Sequence, residues 1–433
     1  MGSQGPLSVL CRRVRRVMQA DDTTDIQQTH ALLEIVKAFA VCEHAMVGEG
    51  LDGPRRLDRL MEAHGILMAA CGPGHLILFD ELMGRLTGDR AGSLEGLLPD
   101  WIDSEALAGV RLMDSEGVAT EDGFDFRHEA QRVLRAAQKV GKFTGQVTKP
   151  KLDDEYSQEA VFSAIKGPFY ERHRTTLVEN PAVPAGGLAE LKLPSRANDF
   201  YKPIAQYAQF NGWWWPCPAC QWPMKVTAAR TGARTRGRVR CLYPWHEETG
   251  ASYEFVVTAR KKTAPDLSPT FECRVPSGRF ARLWTGAVPH VPQAKPAAEY
   301  MALVRPVWRY TVIPGLPELA LHRAMTGILE GTSWTSHLWP NGDQCDLWIT
   351  RDGSEQPWFS ADFKDYTWPN HLVSKLHMDG GDQGGAEYLV VPDHRHDQVA
   401  QLDAVCRMYR MKAAMTATDY LEMVITQIKE GRA

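Results

Sequence analysis

The sequence predicts a multidomain α+β protein with a helical N-terminal region, a β module built around cysteines, and a C-terminal α/β domain. Three observations predict it. Residues 1–140 carry apolar positions at helical spacing. Twelve of the thirteen tryptophans, and every closely spaced cysteine, lie from position 213 onward. After about position 298, apolar strand-like runs alternate with helical ones.

At 433 residues the chain exceeds one typical domain. It is 44% hydrophobic and 24% charged with a net charge of −4, an ordinary globular balance. So small a net charge neither supports nor excludes nucleic-acid binding, because local basic patches decide that. No run approaches the roughly 20 apolar residues of a membrane helix, so no membrane association is expected. Leu7–Cys11 is too short for a signal peptide, and its arginines follow it instead of preceding it. Nine cysteines without a regular framework fit a reducing, cytoplasmic setting.

In order, residues 1–140 read as a helical domain. Thr24–Ala40 has helical spacing with Asp21, Asp22 and Thr23 available as caps, Gly53-Pro54 opens a second helix, His75–Met83 a third and Phe124–Val140 a fourth. Residues 141–205 read as a connector, broken by Gly167-Pro168, Pro181, Pro184 and Pro194. Residues 206–290 read as hairpins, and Val291–Pro296 as a linker. Residues 298–433 read as the α/β domain. It has a helix from Glu318 to Leu329 behind Pro317, strands ending near Ile349 and Phe363, and a short helix at Asn370–Met378. A buried strand at Glu387–Val391 and helices at Gln398–Met411 and Thr418–Ile428 complete it.

Cys217-x2-Cys220, twenty residues, then Cys241-x4-His246 supplies three thiols and an imidazole. Two close pairs separated by a hairpin are how a zinc ribbon presents a tetrahedral site. Cys273 is the alternative fourth ligand. Between the pairs lie Lys225, Arg230, Arg234, Arg236, Arg238 and Arg240 with no acid among them, and Arg260, Lys261 and Lys262 follow. Such a loop suits a nucleic-acid backbone, here DNA.

Asp346 opens the apolar run Leu347-Trp348-Ile349, and sixteen residues later Trp358-Phe-Ser-Ala leads to Asp362-Phe363-Lys364. Side chains alternate along a strand, so Asp362 and Lys364 share a face. Two carboxylates and an ammonium gathered this way can hold a divalent metal against a phosphate with a water beside it. Glu190-Leu-Lys192 has the same acid-x-lysine form but lacks a preceding acid on a strand. His371, His377, His394 and His396 offer a rival histidine-metal site, but the Asp393–Asp397 run follows Pro392 in a polar loop and reads as solvated.

The order helix, two strands, helix, strand, with Asp346 and Asp362-Phe-Lys364 on the strands, resembles the PD-(D/E)xK restriction-endonuclease-like nucleases over roughly residues 300–410. The residue before the first acid is Cys345 instead of proline. The resemblance implies a restriction-endonuclease-like C-terminal domain that hydrolyses DNA phosphodiesters with Mg2+ or Mn2+. It implies metal ligation by Asp346, Asp362 and the carbonyl of Phe363, and water orientation by Lys364. Glu318, or alternatively Glu330, would serve a second metal or its waters. The whole architecture resembles the restriction-endonuclease component of three-gene defence islands, which implies a PIWI-related protein and a DinG-type helicase as partners. The competing reading is a zinc-ribbon DNA adaptor whose nuclease-like domain is inert.

Overall fold

The computed structural model describes residues 23–47, 51–102, 110–115, 117–120, 123, 158–231, 234–257, 263–354, 356–366, 369–378 and 380–431. The helix expected at Phe124–Val140 and the basic residues Arg260, Lys261 and Lys262 lie outside them, as does the side chain of Arg230. The chain divides into two units, Met1–Pro150 and Lys151–Ala433.

In the first unit, α1 (Thr23–Val47) packs on α2 (Gly53–Cys71). The apolar stripes meet there, burying Leu32, Ile35 and Phe39 with Leu60, Ala63 and Leu67. Asp52 caps α2 by accepting the Arg55 amide, and Pro54 occupies the first turn, where its missing N–H costs nothing. Of the helix expected at His75–Met83, only α3 (Phe79–Met83) forms.

The second unit opens with α4 (Gln158–Ile165) and α5 (Tyr170–Glu179), then short strands β1 (Ala182–Pro184) and β2 (Tyr201–Pro203). The hairpin module follows as β3 (Trp213–Trp214), β4 (Lys225–Thr231), β5 (Arg234–Arg240), α6 (Pro244–Glu248), β6 (Ser252–Val257) and β7 (Ser268–Pro269). Strands β4 to β7 form a four-stranded antiparallel sheet. Gly237 lets the Phe255 ring cross β5; a Cβ there would meet the ring at 2.1 Å.

The stretch expected to be a linker is structured. Its β8 (Lys295–Pro296) pairs with β3, and β9 (Tyr300–Leu303) lies between β1 and β2. Proline punctuates both segments, which is why they read as connectors, but proline is tolerated on short edge strands.

A π-turn at Trp308–Val312 runs into α7 (Ile313–Leu329), so the helix starts before Pro317 and carries it inside. A five-stranded sheet follows in the order β10 (Trp334–Leu338), β11 (Leu347–Arg351), β12 (Phe359–Phe363), β13 (Tyr388–Val391), β14 (Ala413–Thr416). The first three are antiparallel and the last two join in parallel. Helix α8 (Pro369–Met378) connects β12 to β13, α9 (Val399–Met408) connects β13 to β14, and α10 (Ala417–Lys429) closes the unit. Crossover helices are what parallel neighbours require. β12 and β13 are buried at every position, and β13 reads as a continuous apolar run. β10 and β14 were not legible in the sequence. One hydrophobic core runs from Val161 through the cysteine module to Val424.

Candidate active site and metal centre

The cysteine module brings its four predicted ligands together. Cys217 and Cys220 sit in a knuckle closed by the Cys217 amide to Trp222 O and the Gln221 amide to Cys217 O, with Gln221 at φ 58°. Cys241 directly follows β5, and His246 comes back to it from α6. Cys217 Sγ lies 3.8 Å from His246 Nδ1, Cys241 Sγ lies 3.6 Å from it, and Cys220 Sγ lies 4.0 Å from Cys241 Sγ. All four ligand atoms fall within 4.8 Å of one another and all four residues are buried. A tetrahedral zinc with bonds of about 2.3 Å to sulfur and 2.0 Å to nitrogen has edges of roughly 3.5–3.8 Å, so the set can hold that ion. N–H groups of Ala219, Tyr243 and Trp308 point at the sulfurs of Cys217, Cys241 and Cys220 at 3.3–3.4 Å, the bonding a thiolate wants. Burial pushes the Cys217 and Cys241 thiols well up. Cys273 stands apart, donating to Ala287 O at 3.3 Å.

At the end of the five-stranded sheet, Asp346 precedes β11 and Asp362 lies on β12. The Asp346 amide donates to Ala361 O at 3.1 Å, and its Oδ2 accepts the Phe363 amide at 2.6 Å. Lys364 Nζ pairs with Asp362 Oδ2 at 2.6 Å. Both acids are buried. Burial, then the charge of Asp362, pushes the Asp346 carboxyl up to about 6, against the pull of Lys364 and Arg174. Two buried carboxylates, with the charge of Asp362 acting on Asp346, fit a divalent cation.

Glu318 also reaches this end of the sheet, but its Oε2 is taken by Arg174 Nη2 at 2.9 Å and Trp339 Nε1 at 2.6 Å. Burial first, then Asp346 and Asp343, pushes its carboxyl well above the usual range, with Arg174 opposing. Glu330 lies at the C-terminal cap of α7, away from these partners. Arg174, from α5, was missed by sequence reading. It stacks on the Trp339 ring at 4.2 Å, bonds Asp343 Oδ1 at 2.5 Å and lies 4.0 Å from Asp346 Oδ1. Burial opposes its charge, but Glu318 and Asp343 outweigh it, so the guanidinium is held charged. Tyr170 donates to Asp343 Oδ2 at 2.9 Å. The acidic turn holding Asp343 is the one local signal that was available; Arg174 had none, lying in a segment read as a connector.

Asp365, next to Lys364, is a further missed residue. Tyr243 donates to its Oδ2 at 2.5 Å, Arg395 Nε reaches its Oδ1 at 3.1 Å, and His394 Nε2 lies 3.8 Å away. His394 is not solvated as expected: it stacks on Trp245 at 4.5 Å, and burial lowers its pKa to about 4 although Asp365 opposes this. His396 is exposed. Among the described residues, the cysteine set is the one metal-type cluster within 4.8 Å, and no histidine-metal site forms downstream of Lys364. Glu190 and Lys192 lie around a 3₁₀ turn outside any sheet.

The basic residues separate. Lys225 is 2% exposed and cannot face a backbone phosphate. Arg234, Arg236, Arg238 and Arg240 share one face of β5 by strand alternation. Glu247 of α6 pairs with Arg238 at 2.9 Å and Arg240 at 3.1 Å, an acid the loop sequence did not contain. Arg234 and Arg236 remain exposed, with no ion pair among the described residues.

Residues 315–432 match the family model described as "REase associating with pPIWI_RE", which supports a restriction-endonuclease-like component of PIWI-RE systems. The match begins at Gly315, within α7, so Arg174 and the cysteine module lie outside it. No curated protein and no solved structure matches the chain. Among the described residues, no helix is long and apolar enough to cross a membrane.

Proposed function

We propose that the chain is a metal-dependent endonuclease that cuts DNA in a prokaryotic defence system, working with a PIWI-related protein and a DinG-type helicase. The observation that carries this reading is the arrangement of Asp346, Asp362 and Lys364 at one end of two paired strands, with Asp346 locked by the Phe363 amide at 2.6 Å. The family match over the same residues supports it.

Asp346 and Asp362 are the ligands for Mg2+ or Mn2+, and the carbonyl of Phe363 can join them. When bound, such an ion supplies charge neutralisation for the phosphodiester and a more acidic water. Lys364, paired with Asp362, is a fixed cation that orients the attacking water and faces the charge that develops on the phosphorus oxygens. Glu318 does not reach out for a metal in this arrangement; it fixes Arg174 and Trp339. Zinc in the Cys217, Cys220, Cys241 and His246 set anchors the hairpin sheet, and exposed Arg234 and Arg236 follow the DNA backbone.

The test is nicking of supercoiled plasmid by the purified chain in Mg2+, beside Lys364→Ala. The variant is expected to lose about 10²-fold or more in rate while its melting profile and DNA binding persist. Cleavage by Lys364→Ala at the wild-type rate would sink the assignment. Binding without cleavage by the wild type, with its partners supplied, would make the chain an adaptor.

A further inference from the structure

The guanidinium of Arg174 sits where a second cation would sit in an acid-rich nuclease site. It touches Glu318 at 2.9 Å and Asp343 at 2.5 Å, and it lies 4.0 Å from Asp346 Oδ1. Asp346 thus faces two cationic positions: Arg174 on its Oδ1 side, and the space it shares with Asp362. A carboxylate that faces two cationic positions is the arrangement of a two-metal centre, in which each position holds an ion. Here one of the two is filled by the protein itself.

We propose that Arg174 takes the place of a second metal ion, so that this site accepts one divalent cation where its four acids would otherwise hold two. This rests on the metal reading of Asp346 and Asp362 given above. The partners agree: Glu318 and Asp343 both bond the guanidinium, which leaves Asp346 and Asp362 for a single divalent ion. The guanidinium is built in. It is 5% exposed, its face lies on Trp339 at 4.2 Å, and Trp339 also holds Glu318. Asp343 is brought to it by a turn whose Trp339, Asn341 and Asp343 have φ of 46°, 53° and 76°. Left-handed backbone at three non-glycine residues is costly and persists where surrounding contacts enforce it. The helix carrying Arg174 is pressed against α7 at Gly315, where a Cβ would meet Val178 at 2.5 Å. Glu318 therefore supports the catalytic metal only indirectly, through Arg174.

The test counts Mn2+ bound to the full zinc-loaded chain, by calorimetry and by electron paramagnetic resonance, without substrate. The wild type is expected to bind one Mn2+ per chain with an isolated-ion spectrum. Arg174→Ala is expected to bind two, with the exchange-broadened spectrum of a close pair, and added guanidinium is expected to expel the second. Arg174→Met, which keeps the stem over Trp339, gives the same count if the alanine variant does not fold. Two Mn2+ on the wild type, or one on both folded variants, would overturn the inference. No Mn2+ on the wild type, or as much on Asp362→Asn as on the wild type, would overturn the metal reading beneath it.

Discussion

Tyr243→Phe removes a hydroxyl that ties the cysteine module to the segment just after β12. The Tyr243 O–H donates to Asp365 Oδ2 at 2.5 Å, with both groups buried. A hydrogen bond to a buried charge contributes about 1.5–3 kcal/mol. Arg395 at 3.1 Å still compensates the Asp365 charge in the variant, so the expected loss is about 2 kcal/mol. For a unit of this size that lowers Tm by about 3 °C. Every tryptophan except Trp101 lies in the second unit, so tryptophan fluorescence reports its unfolding in the full chain. Zinc content is expected to stay unchanged, because the Tyr243 amide and not its hydroxyl bonds Cys241. The pH dependence has a definite sign. Burial opposes the Asp365 charge, but Arg395, His394, Arg309 and the Tyr243 hydroxyl outweigh it and hold the carboxyl below its ordinary value. Stability from such a depressed carboxyl is complete above its unfolded pKa of about 3.9 and is lost as pH falls through the lower folded value. The difference between Tyr243 and Phe should therefore be full at neutral pH and shrink below about pH 4. A variant as stable as wild type at neutral pH would refute the reasoning, as would a difference of constant size down through the acid range.

Two further outcomes follow from the cysteine module. Metal analysis of the purified chain should find one zinc, and Cys217→Ser with Cys220→Ser should remove it and lower Tm by a larger margin than Tyr243→Phe; native protein without zinc would end that assignment. Arg234→Ala with Arg236→Ala should weaken DNA binding and reduce the slope of log affinity against log salt by about two, whereas Lys225→Met should leave the slope unchanged; an unaltered slope in the double variant would remove β5 from the interface.

Some of this was legible because it is local. Cys217, Cys220, Cys241 and His246 are set by spacing within one hairpin, and Asp346, Asp362 and Lys364 by alternation along two neighbouring strands. The boundaries of α7 were not, because Pro317 reads as a helix start while the π-turn before it lets the helix begin at Ile313. Segments rich in proline read as connectors, yet their strands and α5 join the main core, because edge pairing with β9 and packing on α7 are settled by distant partners.

The sequence by itself determined which residues could carry chemistry and which of them would be neighbours along a strand or a hairpin, since backbone periodicity fixes that at short range. Tertiary structure alone decided their electrostatic company. It placed Arg174 against Glu318 across 144 residues and Tyr243 against Asp365 across 122. It also buried Lys225 and gave Arg238 and Arg240 to Glu247. The physical reason is that a buried charge needs a partner at once, and the partner is supplied by whichever surface packs there, not by the residues next to it in the chain.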